Sequence, residues 1–140
     1  AQVDRHGGGE ILRRVFRGRT VADVDRVALG RCGHVGHELR QRGADQVVAE
    51  TLAHLTACER IHVSFDVDSL DPSISVGTGT PVPGGLSLPE VRTLLTGLCV
   101  DAKTATLDVV EINPALDTNN AMAEAVLTVL EPLFPILRNR

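Results

Sequence analysis

The feature that most constrains the fold is a strand, helix and strand pattern in which an acidic residue follows each strand. Residues 60–65, Arg-Ile-His-Val-Ser-Phe, are rich in β-branched and aromatic side chains and predict a strand leading into Asp66. Residues 87–90 match a capping box, and the apolar residues after them recur at helical spacing. Residues 104–110 predict a second strand. Such a succession favours a parallel sheet covered by helices and joined by a right-handed crossover.

The flanking segments differ in how clearly they can be interpreted. Apolar residues between positions 45 and 58 recur at helical spacing and predict an amphipathic helix. Residues 121–131 predict a further helix, which Pro132 is expected to end. Residues 1–44 are a poorly defined N-terminal segment, where repeated glycines interrupt the pattern after a short helix around residues 11–16. We therefore place the α/β domain at residues 45–140.

Length and charge narrow the possible functions. The 140 residues are enough for one domain with a real core. Fourteen basic and eighteen acidic residues give a net charge of -4, which argues against a nucleic-acid partner, and we interpret the arginines between positions 13 and 19 as a solvated helix face. No apolar run approaches the roughly 18 residues of a membrane span. Three cysteines without metal-type spacing favour a reducing cytoplasm.

The first predicted strand is followed by a pair of acidic residues, Asp66 and Asp68. If the strand continued through them, its period of two would point both carboxylates the same way, about 6–7 Å apart. Two like charges so close favour an intervening hard divalent cation such as Mg²⁺, Ca²⁺ or Mn²⁺. The alternative is that one aspartate caps the following loop and the other is exposed. Asp71 precedes a proline and is expected to stabilise a turn.

A third acidic residue, Glu111, follows the second predicted strand. If the two strands are neighbours, Glu111 opens into the same crevice as Asp66 and Asp68, because parallel strands end at one edge of the sheet. A carboxylate facing a metal across a cleft is suited to binding a cationic group of a substrate. The sequence leaves open which way Asp108, on the same strand, points.

Three motifs in order carry a resemblance to a known family. They are Ser-Phe-Asp-Val-Asp-Ser-Leu-Asp-Pro at 64–72, Gly-Thr-Gly-Thr-Pro-Val at 77–82 with Gly-Gly-Leu at 84–86, and Val-Glu-Ile-Asn-Pro-Ala-Leu-Asp at 110–117. Their order and spacing resemble the C-terminal half of arginases and related ureohydrolases. The resemblance implies part of a three-layer α/β/α fold, a parallel sheet with helices on both faces, over residues 45–140.

The resemblance also implies a function. Asp66 and Asp68 match aspartates that bind manganese, two ions in the complete family site, and Thr80 and Glu111 match residues that bind the guanidinium group. The implied reaction is hydrolysis of L-arginine to ornithine and urea, with agmatinase or another ureohydrolase activity as the alternative. The implied partners are a small guanidino substrate and further copies of the chain, as a trimer or hexamer, without nucleic acid or membrane.

Parts of the family pattern have no intact match in this sequence. The family's upstream His and Asp metal ligands have no intact match here. The Asp4-Arg-His6 segment resembles one of these ligand motifs only weakly, and we interpret it as an exposed turn. No catalytic residue is therefore assigned. His34, His37, His54 and His62 match no ligand motif. Two alternatives stay open, namely a phosphotransferase with Asp66 as nucleophile and a catalytically inactive fragment that assembles with other subunits.

Overall fold

A computed structural model of the chain describes residues 24–29 and 35–139. The predicted short helix at 11–16, the arginine cluster, Asp4, His6 and His34 lie outside these residues. The strands are β1 (Val24–Leu29), β2 (Arg60–Asp66) and β3 (Thr104–Val110). The helices are α1 (Val35–Arg42), α2 (Ala44–His54), α3 (Leu88–Val100), α4 (Ala121–Leu130) and α5 (Phe134–Arg138), with 3₁₀ turns at Val67–Ser69 and Glu131–Leu133.

The described strands form a parallel sheet in the order β1, β2, β3. Strand β2 is central, and α3 connects it to β3, as the sequence pattern predicted. The register pairs Phe65 with Val109 and Asp66 with Val110, with one irregularity near the start between Ile61 and His62. The predicted α/β class with a parallel sheet is confirmed, and both acidic strand ends lie at the same edge of the sheet.

The core lies between β2 and the helices. Ile61, Val63 and Phe65 alternate along β2 and are fully buried. They share one apolar cluster with residues of α2, α3 and α4, which confirms the periodicities that predicted these helices. Burying an aliphatic side chain contributes roughly 1.5–3 kcal/mol. The cluster therefore fixes β2, and with it the position where the acidic segment begins.

Helix α3 begins with the predicted capping box. The backbone N–H of Ser87 donates to Glu90 Oε2 at 2.7 Å, and the Glu90 N–H reaches Ser87 Oγ at 3.5 Å. Together these bonds satisfy two N–H groups that would otherwise lack helical partners. The box sets the start of the crossover that brings the chain back to β3.

Helix α1 lies within the segment that the sequence left poorly defined. Repeated glycines interrupted the sequence pattern there, yet the helix runs from Val35 to Arg42. A Cβ at Gly36 would overlap the carbonyl oxygen of Gly84, so this glycine permits close contact with the 84–85 loop. Arg40 Nη2 also donates to the Gly84 oxygen at 3.0 Å. Long-range packing therefore overrides the low helix propensity of glycine.

The C-terminal region continues past the residue that was expected to stop it. Helix α4 ends at Leu130, close to the prediction, but Pro132 lies in the first turn of the next 3₁₀ segment and α5 follows directly. Proline is tolerated at that position because the first N–H groups of a helix have no helical acceptor. Within the described part of the chain, no helix combines the length and apolarity needed to cross a bilayer.

Candidate metal and substrate site

Asp66 is the last residue of β2 and the cap of the turn after it. Its Oδ1 accepts a hydrogen bond from the Asp68 backbone N–H at 2.9 Å, and its carbonyl accepts from Ser69 Oγ at 2.7 Å. The strand does not continue through Asp68, because Val67–Ser69 is a 3₁₀ turn. The expected strand alternation of the two aspartates was therefore wrong; the local turn, not a pleat, sets their relative orientation.

Asp68 is buried, with 1% of the residue exposed. Its Oδ1 accepts a hydrogen bond from the hydroxyl of Thr78, which is itself buried. The alternative of one capping and one exposed aspartate is thus half correct: Asp66 caps, but Asp68 is enclosed. A carboxylate removed from water is costly unless it is hydrogen-bonded or paired with a cation.

Thr78 also reaches the end of β3. Its Oγ1 lies 2.8 Å from the carbonyl oxygen of Glu111, whose side chain is exposed. The backbone of Glu111 is left-handed, with φ 68°. Two residues further along, the backbone N–H of Asn113 donates a hydrogen bond to the carbonyl oxygen of Gly77 at 2.8 Å. The buried aspartate and the backbone of Glu111 therefore meet through one threonine side chain at the same sheet edge.

Three of the four predicted site residues are linked to one another by hydrogen bonds, and the fourth is not part of that set of contacts. Asp66, Asp68 and Glu111 come together as described, whereas Thr80 is exposed in the loop that follows Thr78. The predicted substrate contact of Thr80 stays a prediction. Sequence reasoning missed Thr78, and the only available signal was that the Gly-Thr-Gly-Thr motif contains two hydroxyl residues, two positions apart.

Asp71 has the predicted turn role. Its Oδ1 accepts from the backbone N–H of Ser73 at 3.0 Å and from the Ser73 hydroxyl at 2.7 Å. These hydrogen bonds, the side-chain one first, hold the pKa of the Asp71 carboxyl below its ordinary value. The residue stabilises the loop that begins after the buried aspartate.

Asp108 is oriented by a histidine on the neighbouring strand. His62 Nε2 lies 3.3 Å from Asp108 Oδ2, and His62 Nδ1 lies 2.7 Å from the Thr106 hydroxyl. The other carboxylate oxygen, Oδ1, is buried without a hydrogen-bond partner among the described residues. Asp108 and Ser64 are register partners, so this polar group lies on the sheet face that also bears Asp66.

The donor set determines which metal chemistry the described residues could support. Two carboxylates are hard oxygen donors, a number that suits one Mg²⁺ or Mn²⁺ ion whose other ligands are water. Over residues 24–29 and 35–139, no cluster of three or more His, Cys, Asp or Glu side chains is placed to hold a metal. The arrangement therefore fits one side of a cation site but not a complete binuclear centre.

Known proteins provide an independent comparison. The Arginase family profile matches residues 16–134. The chain is 37% identical over 98 residues to the arginase of Bacillus subtilis strain 168, covering 70% of this chain and 33% of the relative. A crystal structure of B. subtilis arginase has a TM-score of 0.65 at 36% identity and covers 71% of this chain and 34% of that chain. A structure described as a hypothetical agmatinase from Burkholderia thailandensis has a TM-score of 0.67 at 31% identity, covering 76% and 33%.

These matches identify the α/β fold of the chain as the fold of arginases and their structural relatives. The chain belongs to the arginase family, as its three motifs indicated. It spans about a third of the length of the relatives that it matches.

Proposed function

We propose that this chain contributes to arginase-type hydrolysis of a guanidinium group at a manganese site. The observation that carries the proposal is the contact between Thr78, the buried Asp68 carboxylate and the Glu111 backbone. Because this contact joins the Asp68 carboxylate to the Glu111 backbone, it supports a site in which a cation-binding aspartate and a substrate-binding glutamate are close together. The moderate identity to arginases supports the same reaction class.

In this proposal Asp66 and Asp68 hold Mn²⁺, in a complete family site that contains two ions. When bound, the metal provides Lewis acidity that makes water a nucleophile near neutral pH. The 3₁₀ turn keeps the Asp66 side chain against the Asp68 backbone, which limits the freedom of both ligands before the ion arrives. Further ligands are required to complete such a site.

Glu111 is proposed to bind the guanidinium group. Its exposed carboxylate would accept charge-assisted hydrogen bonds from the planar cation and so orient that group for attack by water. Thr80 is proposed to contact the same group from the loop. Water would add to the guanidinium carbon, the bond to the alkyl nitrogen would break, and that nitrogen would take up the two protons of the water, so that arginine gives urea and ornithine. Agmatine is the alternative substrate, since structural neighbours include a protein described as an agmatinase.

Urea release tests this proposal directly. The chain would be incubated with Mn²⁺ and either arginine or agmatine, and Glu111→Gln would be compared with Glu124→Gln, a change at an exposed position on α4. We expect the first variant to lose at least about 100-fold in turnover, since it removes the charge that pairs with the substrate, and the second to match the unchanged chain.

Two results would redirect the proposal. Absence of turnover together with Mn²⁺ binding, measured by calorimetry, would favour an inactive subunit that assembles with other chains. Release of phosphate from a phosphate ester under the same conditions would instead favour the phosphotransferase alternative. Family membership makes the second result unexpected.

We further propose a cytoplasmic location and a homo-oligomer, as the resemblance implied. Light scattering of the purified chain would distinguish a monomer from a trimer or hexamer. A monodisperse monomer at working concentrations would refute the assembly proposal for this chain. Imaging of a tagged chain in the source cells would test the location.

A further inference from the structure

The side chain of Thr78 lies between the two halves of the proposed site. Its hydroxyl contacts the Asp68 carboxylate and lies 2.8 Å from the Glu111 carbonyl oxygen. We propose that Thr78 is a positioning residue that couples cation binding at Asp68 to the placement of Glu111. This inference rests on the proposed function and adds a role that none of the four predicted site residues supplies.

The backbone around Glu111 needs such support. A left-handed backbone conformation is unfavourable for a non-glycine residue, and Glu111 adopts it at φ 68°. Two contacts from the 77–78 segment hold this region, namely Thr78 Oγ1 to the Glu111 oxygen and the Asn113 N–H to the Gly77 oxygen, each at 2.8 Å. These two hydrogen bonds from the 77–78 segment therefore hold the Glu111 backbone in its left-handed conformation.

The 77–78 segment itself packs closely against Asp117 and Met122. A Cβ at Gly77 would lie 2.7 Å from the Met122 Cβ and 2.9 Å from the Asp117 Cβ. Asp117 accepts hydrogen bonds from the N–H groups of Met122 and Ala123, at 3.0 and 3.2 Å, and so is fixed to the start of α4. This packing leaves Thr78 little room to move away from Asp68 and Glu111.

A hydroxyl has one hydrogen, so the two acceptors compete for it. A carboxylate is the stronger acceptor when no cation is present. A divalent ion at Asp68 withdraws negative charge from that carboxylate, which increases the share of the hydrogen bond that the Glu111 carbonyl receives. Cation binding then tightens the hold on the 111–113 backbone, and by linkage a fixed Glu111 favours cation binding.

The test compares Thr78→Val and Thr78→Ser with a matched control. Valine keeps the size and branching but removes the hydroxyl, whereas serine restores the hydroxyl. Thr51→Val is the control, because Thr51 is also buried and donates to a backbone carbonyl, that of Val47 at 2.7 Å, within α2. All variants would be measured for Mn²⁺ affinity by calorimetry and for amide hydrogen exchange with and without Mn²⁺.

We expect Thr78→Val to weaken Mn²⁺ binding about 10–100-fold, the usual effect of losing a hydrogen bond to a metal ligand. In the unchanged chain Mn²⁺ should slow exchange of the Asn113 amide; this effect should vanish in Thr78→Val and return in Thr78→Ser. Thr51→Val should lower the melting temperature without changing either quantity.

Each remaining outcome has one meaning. If the unchanged chain binds no Mn²⁺, the proposed function fails together with this inference. If it binds Mn²⁺ and Thr78→Val binds equally well, only the inference is overturned. Should Thr78→Val not fold, exchange at Asn113 in the unchanged chain still decides, because protection that Mn²⁺ does not alter refutes the coupling.

Discussion

Asp66 on β2 is the register partner of Val110 on β3. Val67 and Glu111, the residues that follow these partners, leave the sheet at the same edge. The 3₁₀ turn at Val67–Ser69 therefore begins beside Glu111. The carboxyl edge of a parallel sheet is where open α/β folds bind ligands. This one pairing therefore connects the register of the strands to the position of the proposed site.

Removal of the buried charge should separate cation binding from folding. In Asp68→Asn, the side-chain oxygen can still accept from Thr78, while the cost of a buried charge disappears. We expect the free energy of unfolding without metal to fall by no more than about 1 kcal/mol, or to rise. The stabilisation by Mn²⁺, about 2.7 kcal/mol at 100 times Kd for the unchanged chain, should be lost in thermal melts.

Asp71→Asn provides the matched control for that experiment. Asp71 lies three positions further along and bonds to Ser73 within its own turn. It should keep the full Mn²⁺ response. A full response in Asp68→Asn as well would show that Asp68 is not a ligand.

The loop after the aspartates is held by a close contact at Gly85. A Cβ there would lie 2.6 Å from the carbonyl oxygens of Ser69 and Leu70, and both are backbone atoms that no side-chain rotation can move. Gly85→Ala should therefore destabilise the chain by about 1–3 kcal/mol, as overpacked positions do. Urea denaturation followed by circular dichroism would measure the change.

Gly79→Ala is the corresponding control, because a Cβ at Gly79 would meet no atom within 4 Å. Because alanine lowers the conformational entropy of the unfolded chain, Gly79→Ala should leave the free energy of unfolding unchanged or raise it by about 0.4–1 kcal/mol. Equal destabilisation by both substitutions would contradict the packing explanation.

The central part of the fold was predictable from local signals. Strand β3 and helix α3 begin where composition and the capping box indicated, because the residues that define them are neighbours in sequence. Helix α1 was not predictable in this way. Its Gly36 packs against Gly84, almost fifty positions away, and no local pattern reports such a contact.

The sequence predicted the sheet edge at which Asp66, Asp68 and Glu111 lie but not the local geometry there, and the roles of these residues stay predictions. Asp66, Asp68 and Glu111 lie at one edge, because parallel strands end together. Their assumed strand alternation was wrong, since the Asp66 side chain captures the Asp68 N–H and starts a 3₁₀ turn. The burial of Thr78 and the exposure of Thr80 depend on how the loop folds back onto β3, which the motif alone does not specify.

Glu90 should make the stability of the chain depend on acidic pH. Burial raises the pKa of this carboxyl, but hydrogen bonds from Ser87 and the positive charge of Arg40, 3.2 Å away, outweigh it and leave the pKa below its ordinary value. A pKa that is lower in the folded state stabilises the fold above the unfolded pKa of 4.5. This contribution is lost as the pH falls through the folded value.

Glu90→Gln tests this dependence while preserving the cap, because glutamine can still accept from the Ser87 N–H. It should reduce the free energy of unfolding by about 1 kcal/mol at neutral pH, and by progressively less as the pH falls below about 4.5. Denaturant titrations across that range would measure the difference. Glu124→Gln, on the exposed surface of α4, should show no such convergence. A constant difference between Glu90→Gln and the unchanged chain at every pH would mean that the charge of Glu90 does not stabilise the start of α3.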